Sequence, residues 1–439
     1  MASTGLSKTF SSSPTNNKKG TMSFWMKKSA VSSGQQAGLL VAGASGGTAG
    51  LYFDGDGKLY WYLAYTGSWQ GSYTTNRQFR DPNSWYHIVQ SWDTTQSTES
   101  ERMKLYVNGV QETSFSSISY PPQNQVTTFG NATAHYINYW GNASYFDGSM
   151  SHFHYTDGYA YAASDFGSFD STTGEWKINT NPSVTYGTNG FWILKDGMSL
   201  TDASPNSNDW AVSTGTLTKT EDNPSNVFAT LNPLLDTNNP MILSNGNTTA
   251  TGSGSGNHRF SGANICVSSG KYYYEVKVTK ASSSPYCGII DAQSTLRRNG
   301  VYFVAASSGD NDSGYAVNMS GDIYHNNSST YATSIGSIST GDILGFAVDL
   351  DSAQRTCTIY KNGTSMRTFN IAAPSSGFYM LGCCSAYNEA SAVAQFNFGN
   401  GYFGSTQISS AGTNASGIGI FEYDVPTGYT ALSTKGLNE

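Results

Sequence analysis

The sequence predicts an all-β chain of two consecutive antiparallel β-sandwiches, and three observations carry that expectation. Tyr, Phe, Val, Ile and Thr, which suit half-buried pleated surfaces, are plentiful, while the strong helix formers are sparse. Short alternating runs recur between clusters of Gly, Asn, Asp and Ser, the spacing of sandwich strands and tight turns. The chain has 439 residues, more than one ordinary core organises, so two domains are expected.

In chain order the runs Thr21–Met26, Leu59–Tyr65, Trp85–Trp92 and Lys104–Val107 read as strands of the first half. Tyr272–Val278, Gly314–Met319, Ile343–Leu350, Thr356–Tyr360 and Gln395–Phe398 read as strands of the second. Leu344, Phe346, Val348 and Leu350 fall at period two, as a strand with one buried face requires. Asn108-Gly109 and Asn362-Gly363 supply the two positive-φ positions of a type I′ hairpin. Each follows an apolar strand and an Asp-containing turn, so one strand–turn–strand–hairpin unit occurs in each half. Tyr161–Phe166 is long enough for a single helical turn. The organisation expected is a first sandwich over 1–200, a connector pinned to a domain surface over 201–235, and a second sandwich over 236–439. The connector is dense in Asn, Asp, Ser and Pro, which do not sustain a ladder.

Charged residues make up 12% of the chain, about half the usual share. A surface built from Ser, Thr, Asn and Gly makes neutral hydrogen bonds with little electrostatic steering. The formal charge of −7 argues against nucleic acid as a partner. Lys8, Lys18, Lys19, Lys27 and Lys28 precede the first acid, Asp54, and read as a basic amino-terminal arm, either solvated or docked on an acidic neighbour. Five cysteines lie in the second half without zinc spacing and read as small, reduced core residues. Met1–Pro14 lacks the apolar segment of a signal peptide, and no run of eighteen apolar residues predicts membrane insertion.

The segments Gly20–Ser29, Ser84–Thr95, Arg102–Gln111 and Tyr145–Tyr161 resemble the concanavalin A-like, laminin-G-like sandwich. Gly270–Val278, Gly314–Asn326, Gly341–Gly363 and Ala394–Gly399 resemble a SPRY-type sandwich. The pair in this order, with NVFATLNPL (227–234 and its preceding Asn226) and Pro426–Asn438, is similar to a family of virion structural proteins of tailed bacteriophages, especially marine ones. The resemblance covers nearly the whole chain. It implies two jelly-roll sandwiches, a place on the virion surface after synthesis in the bacterial cytoplasm, and a tail-fibre, tail-associated or head-decoration role. It also implies other virion proteins as partners; a homo-oligomer or multi-copy array is expected, and the neutral surface and aromatic residues make a host-surface glycan the expected ligand.

Concanavalin-type sandwiches include glycosidases, which need paired carboxylates. The nearest approach is Glu422-Tyr-Asp424, with no third acid following; Glu175 stands alone and Glu99 with Glu101 lies in a polar turn. No catalytic residue and no enzymatic activity are expected; a polysaccharide depolymerase and a structural adaptor without ligand are the alternatives. His152 and His154 would share one face of a strand, either gripping a metal or hydrogen-bonding locally. Asp54-Gly-Asp56-Gly reads as a hairpin turn, and laminin-G-like domains often hold calcium at such a rim, so Asp54 and Asp56 are the metal candidates; no other cofactor is expected. Leu59, Trp61, Leu63 and Tyr65 would face the core and Tyr60 and Tyr62 the opposite side. Tyr60, Tyr62, Trp69 and Tyr73 are the candidate platform for sugar rings; the other reading packs them against a sheet or subunit. Ser308–Asn311 and His325–Ser329 form a neutral loop set in the second half where SPRY-type sandwiches bind partners.

Overall fold

A computed structural model describes residues 4–29, 37–43, 49–65, 69–139, 145–195, 199–235, 238–253, 257–279, 284–298, 303–305, 313–387 and 389–438. The chain divides into two compact units between Lys219 and Thr220. In the first, an eight-stranded sheet runs in the spatial order Phe115–Ser119, Trp69–Gln78, Lys58–Tyr65, Ala49–Phe53, Ala37–Ala42, Ala134–Ile137, Gly5–Thr9, Ala211–Thr214. A six-stranded sheet faces it, ordered Phe191–Ile193, Gly148–Asp157, Lys19–Lys28, Tyr86–Asp93, Met103–Val107, Val110–Gln111. The core between them takes Met22, Phe24 and Met26 from one sheet and Leu51, Leu59, Trp61 and Leu63 from the other, all essentially inaccessible. Trp61 stacks on Phe129 at 5.3 Å and meets Trp92 at 5.6 Å, and Phe24 stacks on Phe153 at 4.7 Å. Gly20 lies beneath Trp92, where a Cβ would come within 2.3 Å of the indole, so the sequence leaves the position bare.

The second unit repeats the architecture. One sheet runs Ile242–Ser244, Thr249–Thr251, Val393–Asn397, Lys271–Val278, Ile343–Asp349, Thr356–Lys361, Thr364–Asn370, with Thr430–Ala431 added in parallel to Lys271–Val278. The other runs His258–Ser261, Tyr379–Tyr387, Tyr286–Asp291, Tyr315–Val317, Ile323–His325, Ser328–Ala332. Leu344, Phe346, Val348 and Leu350 are buried in the core, as period two requires. Four of the cysteines are buried and Cys266 is half-buried, and no disulfide joins them. Among the described residues the helices are short 3-10 turns, including Ala163–Asp165 within the expected turn, and none is long and apolar enough to cross a membrane.

The stretch 201–235 is divided between the units. Trp210 packs on Phe191 at 4.8 Å in the first core, Ala211–Thr214 pairs with Gly5–Thr9, and Phe228 is buried in the second unit. The amino-terminal lysines do not form an arm. Lys19 through Lys28 belong to a central strand; Lys19 pairs with Asp93 at 3.0 Å, and Lys27 and Lys28 are buried. The apolar alternation Met22, Phe24, Met26 recruits the segment into the sheet and carries its lysines with it.

The repeated unit extends to individual contacts. The strand Lys19–Lys28 pairs with Tyr86–Asp93, and Lys271–Val278 pairs with Ile343–Asp349. Lys19 faces Asp93, and Lys271 faces Asp349 at 2.9 Å. Asn108 and Gly109 have φ of 47° and 79°, Asn362 and Gly363 49° and 78°, the double positive φ of a type I′ turn. Each Asn side chain accepts the backbone N–H of the residue opening the preceding strand region, His87 at 2.7 Å and Ile343 at 2.9 Å.

Candidate functional site

The outer face of the eight-stranded sheet is built by alternation. Since Leu59, Trp61 and Leu63 turn inward, Tyr60 and Tyr62 turn outward, where Tyr52, directly opposite Tyr60, joins them. Ring centroids lie 4.7 Å apart for Tyr52–Tyr60 and 6.1 Å for the other two pairs. Burial raises the pKa of all three phenols, so they act as neutral hydroxyl groups. Thr74 stands opposite Tyr60 and Ser72 opposite Tyr62, and the exposed Ser117 and Ser119 continue the hydroxyl strip on the edge strand.

The structure does not assemble the expected four-residue platform. Tyr60 is half-buried, but Tyr62 is fully buried, and Tyr73 faces the core opposite Trp61 with its hydroxyl donating to Gln90. Tyr73 belongs to a strand whose alternation makes it a core residue. Trp69 opens that strand opposite Tyr65; the side chains of Trp69 and Tyr65 lie outside the described residues. Of the second-unit loop set, Ser308–Asn311 lies outside the described residues, and His325 stacks on Tyr315 at 4.0 Å.

Asp54 serves its own hairpin. Its Oδ1 accepts the N–H groups of Asp56 at 3.0 Å and Lys58 at 2.9 Å, while Asp56 is exposed. The buried ammonium of Lys28, 4.5 Å from the Phe53 ring, supplies the nearby positive charge; burial lowers its pKa and Asp54 opposes that shift. Among the described residues no three His, Cys, Asp or Glu side chains gather as a metal site. The tight turn folds the Oδ1 of the Asp54 carboxylate onto backbone donors.

His152 and His154 do not share a simple strand face. A register shift separates Ser151 from His154, and His152 has a φ of 48°. His152 bonds the Ser151 hydroxyl at 2.7 Å, and His154 bonds the Tyr186 hydroxyl at 2.9 Å and stacks on Trp192 at 4.8 Å. His87 completes the group: Ser23 lies 2.8 Å from its Nε2, and Trp176 donates to its Nδ1 at 3.0 Å. These contacts pin a roof, Tyr159–Tyr186, whose Tyr161, Ala163, Phe166, Trp176 and Val184 pack over Val89 and Tyr106 on the outer face of the six-stranded sheet.

The second unit has a corresponding pin in Glu275, fully buried on the strand Lys271–Val278. Its carboxylate accepts the N–H groups of Glu422 and Tyr423, both at 2.9 Å, the Asn397 amide at 3.1 Å and the Tyr273 hydroxyl at 3.3 Å. Burial raises its pKa to about 7 against those donors. Neither pin was found from the sequence; the available signal was a lone acid in KYYYEVKV, where alternation suggests solvent. Glu422 contributes its backbone N–H to this pin, and the Asp424 carboxylate accepts the N–H and the hydroxyl of Thr413.

Residues 3–160 match the sequence model of the concanavalin A-like lectin/glucanases superfamily, and residues 271–401 match that of the SPRY domain. Similar solved structures include the SPRY domain of human HERC1, at 20% identity, covering 36% of this chain and 91% of that one with a TM-score of 0.28. A putative carbohydrate binding protein from Bacteroides ovatus is similar at 13% identity, covering 50% and 60% with a TM-score of 0.33. A heptameric SAP-like pentraxin from Limulus polyphemus is similar at 12% identity, covering 48% and 89% with a TM-score of 0.30. No curated protein matches the chain. The chain carries a concanavalin A-like domain over 3–160 followed by a SPRY domain over 271–401.

Proposed function

We propose that this chain is a non-enzymatic surface protein of a tailed-bacteriophage virion, in the tail or on the head, that presents its two sandwiches for assembly and for recognition of host-surface glycans. The observation that carries the reading is the neutral outer face of the first domain: half-buried Tyr60 beside Ser72, Thr74, Ser117 and Ser119, in a chain with 12% charged residues. A phenol ring offers a surface on which the C–H face of a sugar stacks, and flanking hydroxyl groups exchange hydrogen bonds with its hydroxyls. Individually weak contacts become effective when many copies engage together. The order of the two domains and the closing segment Pro426–Asn438 support the virion setting through the resemblance to phage structural proteins.

Locating the chain in cryo-electron microscopy maps of intact particles, with a glycan array on the purified protein, tests both parts. Copies on the tail or head together with a glycan signal reduced at least tenfold by Tyr60→Ala are expected. Absence from particles contradicts the virion role. Presence without any glycan signal leaves a structural adaptor, and release of reducing ends from host polysaccharide makes the protein a depolymerase.

A further inference from the structure

We infer that Tyr159–Tyr186 is an acid-released cover over the outer face of the first domain's six-stranded sheet, held shut by unprotonated His87 and His154. The chemistry of Trp176 fixes the state of His87. An indole N–H only donates, so His87 Nδ1, 3.0 Å away, must accept, and Nε2–H is left to donate to Ser23 Oγ at 2.8 Å. A proton arriving at Nδ1 sets two donors against each other and expels Trp176.

His154 is the second attachment, through the Tyr186 hydroxyl at 2.9 Å. Around the pair stand Ser23 and Trp25 from the central strand, Trp25 stacking on His87 at 4.8 Å. His152 comes from the strand of His154, and Trp192 from the edge strand carries Lys195 4.5 Å above its ring. From the cover come Phe166, Trp176 and Tyr186, with Tyr161 and Asp202 bearing on Tyr186. Asp170 and Lys177 neutralise each other at 2.6 Å across the cover's own hairpin, and Glu175 is exposed. The charges that act on the two imidazoles are histidines, His152 on both and His87 on His154, so a proton taken up there meets repulsion. Burial, then His152, holds the pKa of His87 down to about 3, and burial holds that of His154 well below its ordinary value.

The second domain is apolar at the same place. The position equivalent to His87 beside the other Asn-Gly hairpin is Ile343, packed with Phe403 and Ile408. Once the cover lifts, His87 and His154 return to water and bind protons near pH 6.5, so the opening equilibrium grows about tenfold per pH unit below that value for each histidine released.

Hydrogen exchange of the full chain, followed by mass spectrometry from pH 7 to pH 4.5 and corrected for intrinsic exchange, tests the inference. Peptides covering 159–186 are expected to lose protection by about 100-fold or more by pH 4.5, while Lys19–Lys28 and Tyr86–Asp93 stay protected. His87→Gln, whose amide can accept from Trp176 and donate to Ser23, is expected to remove His87's share of that loss, about 100-fold at pH 4.5, and to leave the share carried by His154. Cover and strands losing protection together, a cover unchanged at pH 4.5, or a folded His87→Gln variant with the wild-type profile overturns the inference. If that variant does not fold, imidazole 15N spectra of the wild type decide. His87 should stay unprotonated until exchange in the cover rises, and protonation beneath a still-protected cover contradicts the mechanism.

Discussion

Four residues after Lys19 stands Ser23, and four residues after Lys271 stands Glu275, equivalent places in the repeated unit. Both begin the polar pin that holds a roof on the outer sheet face, but they reach it differently. Ser23 works through an imidazole that must be neutral to accept from Trp176, whereas Glu275 grips the backbone at Glu422 and Tyr423 directly. In each domain the roof seats an aromatic on the hairpin glycine: a Cβ on Gly109 would meet Trp176 at 2.2 Å, and one on Gly363 would meet Tyr423 at 2.6 Å. One scaffold thus accepts two chemistries at the same seat, and the pin rather than the sheet sets how each domain responds to pH.

The signs follow from linkage. His87 has its folded pKa depressed to about 3, so its contribution is complete above about pH 6.5 and is lost as pH falls toward 3, at about 1.4 kcal/mol per pH unit. Glu275 has its folded pKa raised to about 7 from 4.5, so its contribution is complete below 4.5 and is lost as pH rises through 7.

The largest effect is expected from Glu275→Ala, which strands two backbone N–H groups and the Asn397 amide; a loss of about 4 kcal/mol in the second domain should appear in urea unfolding. An unchanged midpoint would remove Glu275 from the comparison. Trp176→Ala should cost the first domain about 2 kcal/mol, less than a fully buried Trp because this one is half-buried, and should weaken the pH dependence carried by His87. Gly109→Ala and Gly363→Ala should each cost about 1–2 kcal/mol through positive φ and the displaced aromatic. Near-neutral replacement at either position would show that its aromatic is not seated on the hairpin. The smallest effects belong to Lys19→Met and Lys271→Met, whose side chains are about one-third exposed and whose ion pairs water screens. A much larger loss at one of them would break the equivalence of the two pairs.

Much of the scaffold was legible because a strand's inward set repeats every second residue: Leu59, Trp61 and Leu63, and Leu344 through Leu350, lie where that period puts them. Asn-Gly pairs marked both hairpins because few residues accept two successive positive φ values. Alternation assigns a side chain to a face without saying what covers that face, and for this reason Tyr62 seemed available. Tyr73 is harder to assign to the core because Gly71, which takes a φ of 61°, interrupts the pattern of the strand around it. The roofs follow no period, and their pins join residues about 90 to 150 positions apart, as His87–Trp176 and Glu275–Tyr423 do. Such partners cannot be paired by spacing.

The most direct test of the central claim is domain-resolved amide exchange at pH 7.0 and pH 4.5, compared between 159–186 in the first roof and 418–425 in the second. Protection should fall in the first and rise in the second on acidification. A change of the same sign in both would contradict the account, since the pins would then not govern the roofs.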